Sequence, residues 1–197
     1  MLFRSHYLED EDFTNEILHG DIHTSNQKNA GLESRNQAKT FIYALIYGAG
    51  DGKLGSVVGG SNKEGRRLRD TFLNNLPTFK SLIKRVERAA AKGYIKGLDG
   101  RKIIIRSAHS ALNALLQGAG AIAMKQALVI FSESIKPYNA KIVGNIHDEW
   151  QVEVPEENAD TVGKLGVEAI IAAGLHFEMR CPLDGEYSIG DNWSETH

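Results

Sequence analysis

Cysteine is nearly missing from this sequence: Cys181 is the only one in 197 residues. No internal disulfide can form, and such usage fits a reducing compartment. The lone thiol is read as packing rather than as a nucleophile. Nowhere do 18 apolar residues follow one another, so no membrane-crossing helix is expected. The opening MLFRSHYLEDEDF is too acidic, and its apolar run too short, for a signal peptide. A second cluster of His, Asp or Glu at metal-ligand spacing is also missing. That argues against a metal-dependent hydrolase built on the one acidic triplet, His147-Asp148-Glu149.

Net charge is almost absent too, at −2, but the balance is local rather than uniform. Residues 1–62 carry five Lys/Arg against eight Asp/Glu, residues 63–106 thirteen against four, and residues 107–197 five against thirteen. A basic middle between acidic flanks is the pattern of a nucleic-acid backbone contact beside a metal site. A solvated basic helix would give the same count. The 42% hydrophobic and 24% charged content is that of a soluble globular protein with one or two domains.

One stretch organises the rest: RNQAKTFIYALIYGAG, residues 35–50. Ser34 precedes it and Gln37 follows three residues later, the signature of a capping box. Arg35, Lys39, Tyr43 and Tyr47 recur every four residues and form one drifting stripe on a helix. Phe41, Ile42, Leu45 and Ile46 fall away from it toward a core. Two cations near a helix N-terminus, followed by two aromatic rings, match the order of a nucleoside triphosphate: phosphates, sugar, base. On spacing alone, an ordinary amphipathic helix explains the stripe equally well.

Elsewhere the pattern predicts a short acidic helix over 6–19, ended by Gly20, and another opened by Asp21 as N-cap. Residues 48–61 hold six glycines and read as a turn-rich connection. Basic helices are expected over 63–75 and 79–91, the second restarted by Pro77. A hairpin turns at Leu98–Arg101. Residues 107–136 form one long helical pattern, in which Asn113 and Gln117 share a face and suit the degenerate minor-groove acceptors of any base pair. Two strands, 141–146 and 150–154, flank His147-Asp148-Glu149. A helix over 156–173 and a short strand around 175–179 complete the chain.

Several of these passages, in this order, resemble DNA polymerase family A, and its phage replicative branch most. Residues 35–48 resemble motif B. Asp21-Ile22-His23-Thr24 resembles the family's DIHT-like tetrapeptide, and ALNALLQGAGA its NxxxQG segment. HDE at 147–149 resembles motif C, and GDNWSETH the GxNWxxxH terminus, so the natural C-terminus is expected to be present. The resemblance implies that Arg35, Lys39 and His23 hold the incoming triphosphate and that Tyr43 packs on its base and sugar. It implies that Tyr47 and Gly48 border the templating base, and that Asn113, Gln117 and His147 touch primer–template DNA. Asp148 is implied as metal ligand and catalytic residue, with Glu149 as a helper carboxylate and Lys39 acting on the phosphates during catalysis.

The fold implied is α+β: a mostly helical fingers portion, then a palm portion with a long helix and an antiparallel β-hairpin, together a partial polymerase fold. Residues 1–106 are the expected fingers, with a remnant of the palm strand after motif A at 1–6, and 107–197 the C-terminal palm. The function implied is part of a DNA-directed DNA polymerase that extends a primer 3′-end in replication, with two Mg²⁺ ions. Leu2–Tyr7 looks like the passage that follows motif A, so motif A itself is expected to lie before Met1. The partners implied are primer–template DNA, dNTPs, the N-terminal polymerase portion in the same gene or a separate chain, and a processivity factor, with no membrane. The location implied is the cytoplasm, that of the host cell if the gene is phage-encoded. A DNA- or nucleotide-binding fragment without catalysis is the alternative.

Overall fold

A computed structural model describes residues 2–196, so Met1 and the closing His197 of the terminal resemblance lie outside the described residues. The chain forms two compact units that divide after Gly118. The division falls later than Arg106 because Ala111, Leu112 and Leu115, at the start of the long helix, are buried in the first unit's core.

Unit 1 holds seven helices before its only described hairpin: α1 (Leu2–Leu8), α2 (Glu11–His19), α3 (Ile22–Ala30), α4 (Arg35–Ile46), α5 (Asp51–Ser56), α6 (Asn62–Asn75) and α7 (Pro77–Ala90). The hairpin pairs β1 (Tyr94–Lys96) with β2 (Lys102–Ile104), antiparallel. A one-turn 3₁₀ helix at Ala108–Ser110 then leads into α8 (Ala111–Ser134), which runs on into unit 2.

The helix starts follow local chemistry. Both halves of the α4 capping box are made: Gln37 N–H donates to Ser34 Oγ, and Ser34 N–H to Gln37 Oε1. Asp10 and Asp21 cap α2 and α3. Gly31, in the left-handed region at φ 65°, ends α3.

Four local expectations are corrected. The strand remnant at 1–6 is helical from Leu2, because Arg4, Ser5 and Leu8 bury one side of a helix. The single acidic helix over 6–19 is two helices, broken where Glu9 takes φ 56° and Asp10 caps the second. The glycine-rich connection contains α5, packed backbone to backbone on α6. A Cβ on Gly65 would lie 1.8 Å from the Asp51 carbonyl oxygen, and one on Gly55 2.1 Å from that of Ser61. Gly55 is therefore a contact residue rather than a turn residue, and Gly65 is its counterpart within the expected helix. The strand around 175–179 is absent, because its first two residues continue the last long helix.

The core of unit 1 centres on Phe41, Phe72 and Phe79, joined edge to face with ring centroids 5.9 and 5.8 Å apart. Arg4 is buried among them at 1% exposure. Its guanidinium lies 4.5 Å from the Phe13 ring centroid and 5.3 Å from that of Phe79. None of its three nitrogens has a hydrogen-bond partner among the described residues.

In unit 2, α8 continues into a 3₁₀ turn and then the hairpin of β3 (Lys141–Ile146) and β4 (Glu149–Glu153), followed by α9 (Ala159–His176) and the short α10 (Trp193–Thr196). Its core stacks Trp150 on Phe131, centroids 5.1 Å apart, with Ile135, Val162 and Ala169 around them. By length and composition α8 is apolar enough to cross a membrane. Counting only unbroken apolar runs missed this, because Asn113, Gln117 and Lys125 interrupt the helix. Its buried residues, Leu112, Leu115, Ala119, Ile122, Ala123 and Ala127, recur at three- and four-residue intervals. That is the stripe of a helix packed on one side.

Burial lowers the Arg4 pKa to about 9. Folding therefore opposes the charged form, and a buried cation without an acceptor is costly. Arg4→Met should stabilise the chain by about 1–4 kcal/mol at neutral pH, read from urea unfolding. The unfolded state binds the extra proton above pH ~9, so native stability rises there and the advantage of Met shrinks. A destabilised Arg4→Met would mean that an acceptor engages the guanidinium.

Candidate nucleotide and metal-binding site

On α4, burial of Ala38, Phe41, Ile42 and Leu45 turns the other side outward. Arg35, Lys39, Tyr43 and Tyr47 are all exposed, the two tyrosines at 44% and 56%. The stripe expected from the spacing is therefore a continuous open face.

Helix α3 supplies the rest of the cationic end. Asp21, at its N-cap, accepts from the backbone N–H of His23 and Thr24 and from the Thr24 hydroxyl at 2.7 Å. The same carboxylate takes Arg35 Nε at 3.0 Å and Nη2 at 3.3 Å. Arg35 hydrogen bonding, then that of Thr24, holds the Asp21 carboxyl well below the usual carboxylate range. The contact uses the Nε side of the guanidinium, and Nη1 makes no hydrogen bond among the described residues. Lys39 makes no ion pair among the described residues.

His23 is half-buried, and its Nδ1 is buried without a hydrogen-bond partner among the described residues. Burial lowers its pKa first. The positive fields of Arg35, Lys39 and Arg4 lower it further, against a raising contribution from Asp21. His23 is therefore neutral at pH 7, beside three cations.

At the aromatic end, Gln117 Nε2 donates to the Tyr47 hydroxyl at 3.2 Å, joining the end of α4 to α8. Asn113, one turn earlier, is half-buried, and its Oδ1 has no hydrogen-bond partner among the described residues. Gly48 has φ 78°, and a Cβ there would lie 2.1 Å from the His109 carbonyl oxygen. Packing thus already demands glycine at this position. Unit 1 brings together His23, Arg35, Lys39, Tyr43, Tyr47, Gly48, Asn113 and Gln117. Sequence reasoning treated Asp21 only as a cap and did not see its hold on Arg35. The fourteen-residue spacing gives no periodic signal, because the two residues sit on different helices.

Unit 2 carries the remaining residues on its β3–β4 hairpin. His147 and Asp148 form the exposed link between the strands, and Glu149 begins β4 opposite Ile146. His147 takes φ 56°, a conformation disfavoured for a non-glycine residue. Among the described residues, no three His, Cys, Asp or Glu side chains converge to hold a metal ion. Asp148 still suits one arm of a Mg²⁺ site, since that ion usually takes one or two carboxylates and fills its shell with phosphate oxygens and water.

Residues 3–195 match the sequence profile of DNA polymerase family A. The DNA-directed DNA polymerase of Escherichia phage Phieco32 is 44% identical over 92% of this chain, and that of Escherichia phage T7 is 38% identical over 94%. The chain spans 31% and 30% of these two proteins. The fold matches the POL domain of Pol1 from M. smegmatis, solved with DNA primer-template and dNTP. The TM-score is 0.81 at 22% identity, with 92% of this chain and 36% of that one covered. The chain belongs to DNA polymerase family A.

A bound triphosphate would favour protonated His23, so binding takes up a proton. The affinity of the chain for inorganic tripolyphosphate should rise as pH falls below the ordinary histidine value of 6.5. His23→Gln should flatten that rise in calorimetric titrations. An equal rise in both proteins would remove His23 from the site.

Proposed function

We propose that this chain forms part of a DNA-directed DNA polymerase that adds deoxynucleotides to a primer 3′-end during replication. The observation that carries the reading is the exposed Arg35–Lys39–Tyr43 face beside His23, on a chain matched to the family over nearly its whole length. On this reading residues 1–106 are the fingers and 107–197 belong to the palm. Arg35 presents its free edge to the triphosphate, with Asp21 fixing its orientation. Lys39 offsets charge that develops on the phosphate oxygens, and Tyr43 lies along the sugar and base. Tyr47, Gly48, Asn113 and Gln117 follow the primer–template, and His147 meets the primer terminus.

Asp148 would hold Mg²⁺, with Glu149 beside it. When bound, two such ions clamp the attacking and leaving oxygens of nucleotidyl transfer. The lack of a three-residue cluster among the described residues supports a second carboxylate arm from polypeptide outside this chain. The partners proposed are primer–template DNA, dNTPs, the remaining polymerase portion and a processivity factor, in the cytoplasm of the producing cell. A DNA- and nucleotide-binding fragment without catalysis is the second reading, favoured by that same lack.

Primer extension should need both parts. Residues 1–197 alone should not extend a primer. Mixing them with polypeptide that carries the upstream motif A segment should restore Mg²⁺-dependent extension, and Asp148→Ala should abolish it in the same mixture. Templated extension by the chain alone would show that a carboxylate within it completes the site.

In the assembled enzyme, Lys39→Ala should lower kcat as well as raise KM for dNTPs, because the lost charge acts on the developing oxyanions. Primer–template affinity should hardly change. Lost DNA binding with normal nucleotide kinetics would move Lys39 to the DNA backbone.

A further inference from the structure

We infer that the segment 190–196 is a brace for the tip of the β3–β4 hairpin, and that Trp193 is a positioning residue for Glu149. The inference rests on reading Asp148 as the metal ligand and Glu149 as the helper carboxylate beside it. Alternation along β4 sends successive side chains to opposite faces. Trp150 and Val152 face the core of unit 2, with Trp150 stacked on Phe131. Glu149 and Gln151 share the other face, and the chain end covers it. Trp193 Nε1 donates to Glu149 Oε1 at 3.2 Å, and Gln151 Nε2 donates to the same oxygen. Thr196 Oγ1 donates to Gln151 Oε1 at 3.3 Å, so the second donor is itself held by the tail.

The tail is built to present that indole. Asn192 Oδ1 accepts from the Ser194 N–H at 3.1 Å and from its hydroxyl at 2.7 Å, closing a cap around Trp193. Glu195 folds back onto the segment, taking Asn192 Nδ2 at 2.7 Å and the Asp191 N–H at 2.9 Å. Gly190 leaves room for this: a Cβ there would lie 2.7 Å from Glu195 Cβ. A four-residue helix stabilised by its own side chains thus delivers one N–H donor to one carboxylate oxygen. Glu149 follows Asp148 directly, so fixing its side chain also limits the rotation of the hairpin tip. Groups that orient metal-site carboxylates matter for affinity even when they never touch the ion.

The test uses Mn²⁺ as a paramagnetic probe on residues 1–197, following the broadening of the Asp148 and Glu149 resonances. Trp193→Phe keeps an aromatic ring and removes the donor. It should shift the Mn²⁺ midpoint upward by roughly tenfold while leaving the thermal midpoint unchanged. In a Glu149→Gln background the same substitution should move the midpoint little, since its effect runs through Glu149. In the assembled polymerase, Trp193→Phe should raise the Mg²⁺ concentration needed for half-maximal kcat and spare KM for dNTP. An equal shift with and without Glu149 would make Trp193 a general support and overturn the inference. So would a silent Trp193→Phe in a chain whose Mn²⁺ response is lost on Asp148→Ala. A response that survives Asp148→Ala would overturn the metal reading itself, and the inference with it.

Discussion

Everything in the candidate nucleotide site depends on which side of α4 is buried. Ala38, Phe41 and Ile42 are fully enclosed, and Phe41 meets Phe72 edge to face in the centre of unit 1. At about 25 cal/mol per Å² of apolar surface, such burial outweighs any preference of the exposed side chains for one rotation of the helix. With the core side fixed, a four-residue spacing leaves Arg35, Lys39, Tyr43 and Tyr47 nowhere to go but outward. The capping box fixes where the helix begins, and so the height at which Arg35 stands beside Asp21. Core packing and one cap together set both the direction and the order of the face.

That face concentrates positive charge, and the fold offsets it unevenly. Asp21 neutralises Arg35 while serving as the cap of α3, so one carboxylate links the start of one helix to the start of the next. Lys39 has no such partner among the described residues. Burial keeps His23 neutral, and the surplus of positive charge adds to that effect. Arg4 adds its field from inside the core, where its guanidinium lies against the Phe13 and Phe79 rings and has no hydrogen-bond partner among the described residues. A region with this balance favours an anion arriving from outside over any rearrangement within.

The features legible in the sequence were those carried by adjacent residues. The capping box, the Asp21 cap, the Pro77 helix start, the Leu98–Arg101 turn and the two strands around His147–Glu149 are all local, and the structure forms each of them. The failures share a different origin. Gly55 looks like a turn residue until the helices that meet at it are known. Glu9 carries no local sign that it will take a left-handed conformation. Residues 175–179 alternate like a strand, yet Ala173 and Gly174 are buried and carry the helix through His176. The bond from Trp193 to Glu149 spans forty-four residues and answers to no periodicity.

The glycines show how the same residue type serves opposite purposes along one chain. Gly31 ends a helix with a left-handed turn, whereas Gly65 sits inside a helix where any Cβ would strike the Asp51 backbone. Gly48 does both, with φ 78° and the His109 carbonyl against it. Its neighbour Tyr47 is bonded to Gln117, so the end of α4 and the start of α8 are joined by a close backbone approach and a side-chain hydrogen bond. Moving α4 would have to break the second while the first resists any larger residue. Gly48 and Gln117 therefore tie the aromatic end of the stripe to α8, whereas at its cationic end the Asp21 carboxylate holds Arg35. Of the two anchors, the ionic one is open to solvent, and it occupies only the Nε–Nη2 edge of Arg35.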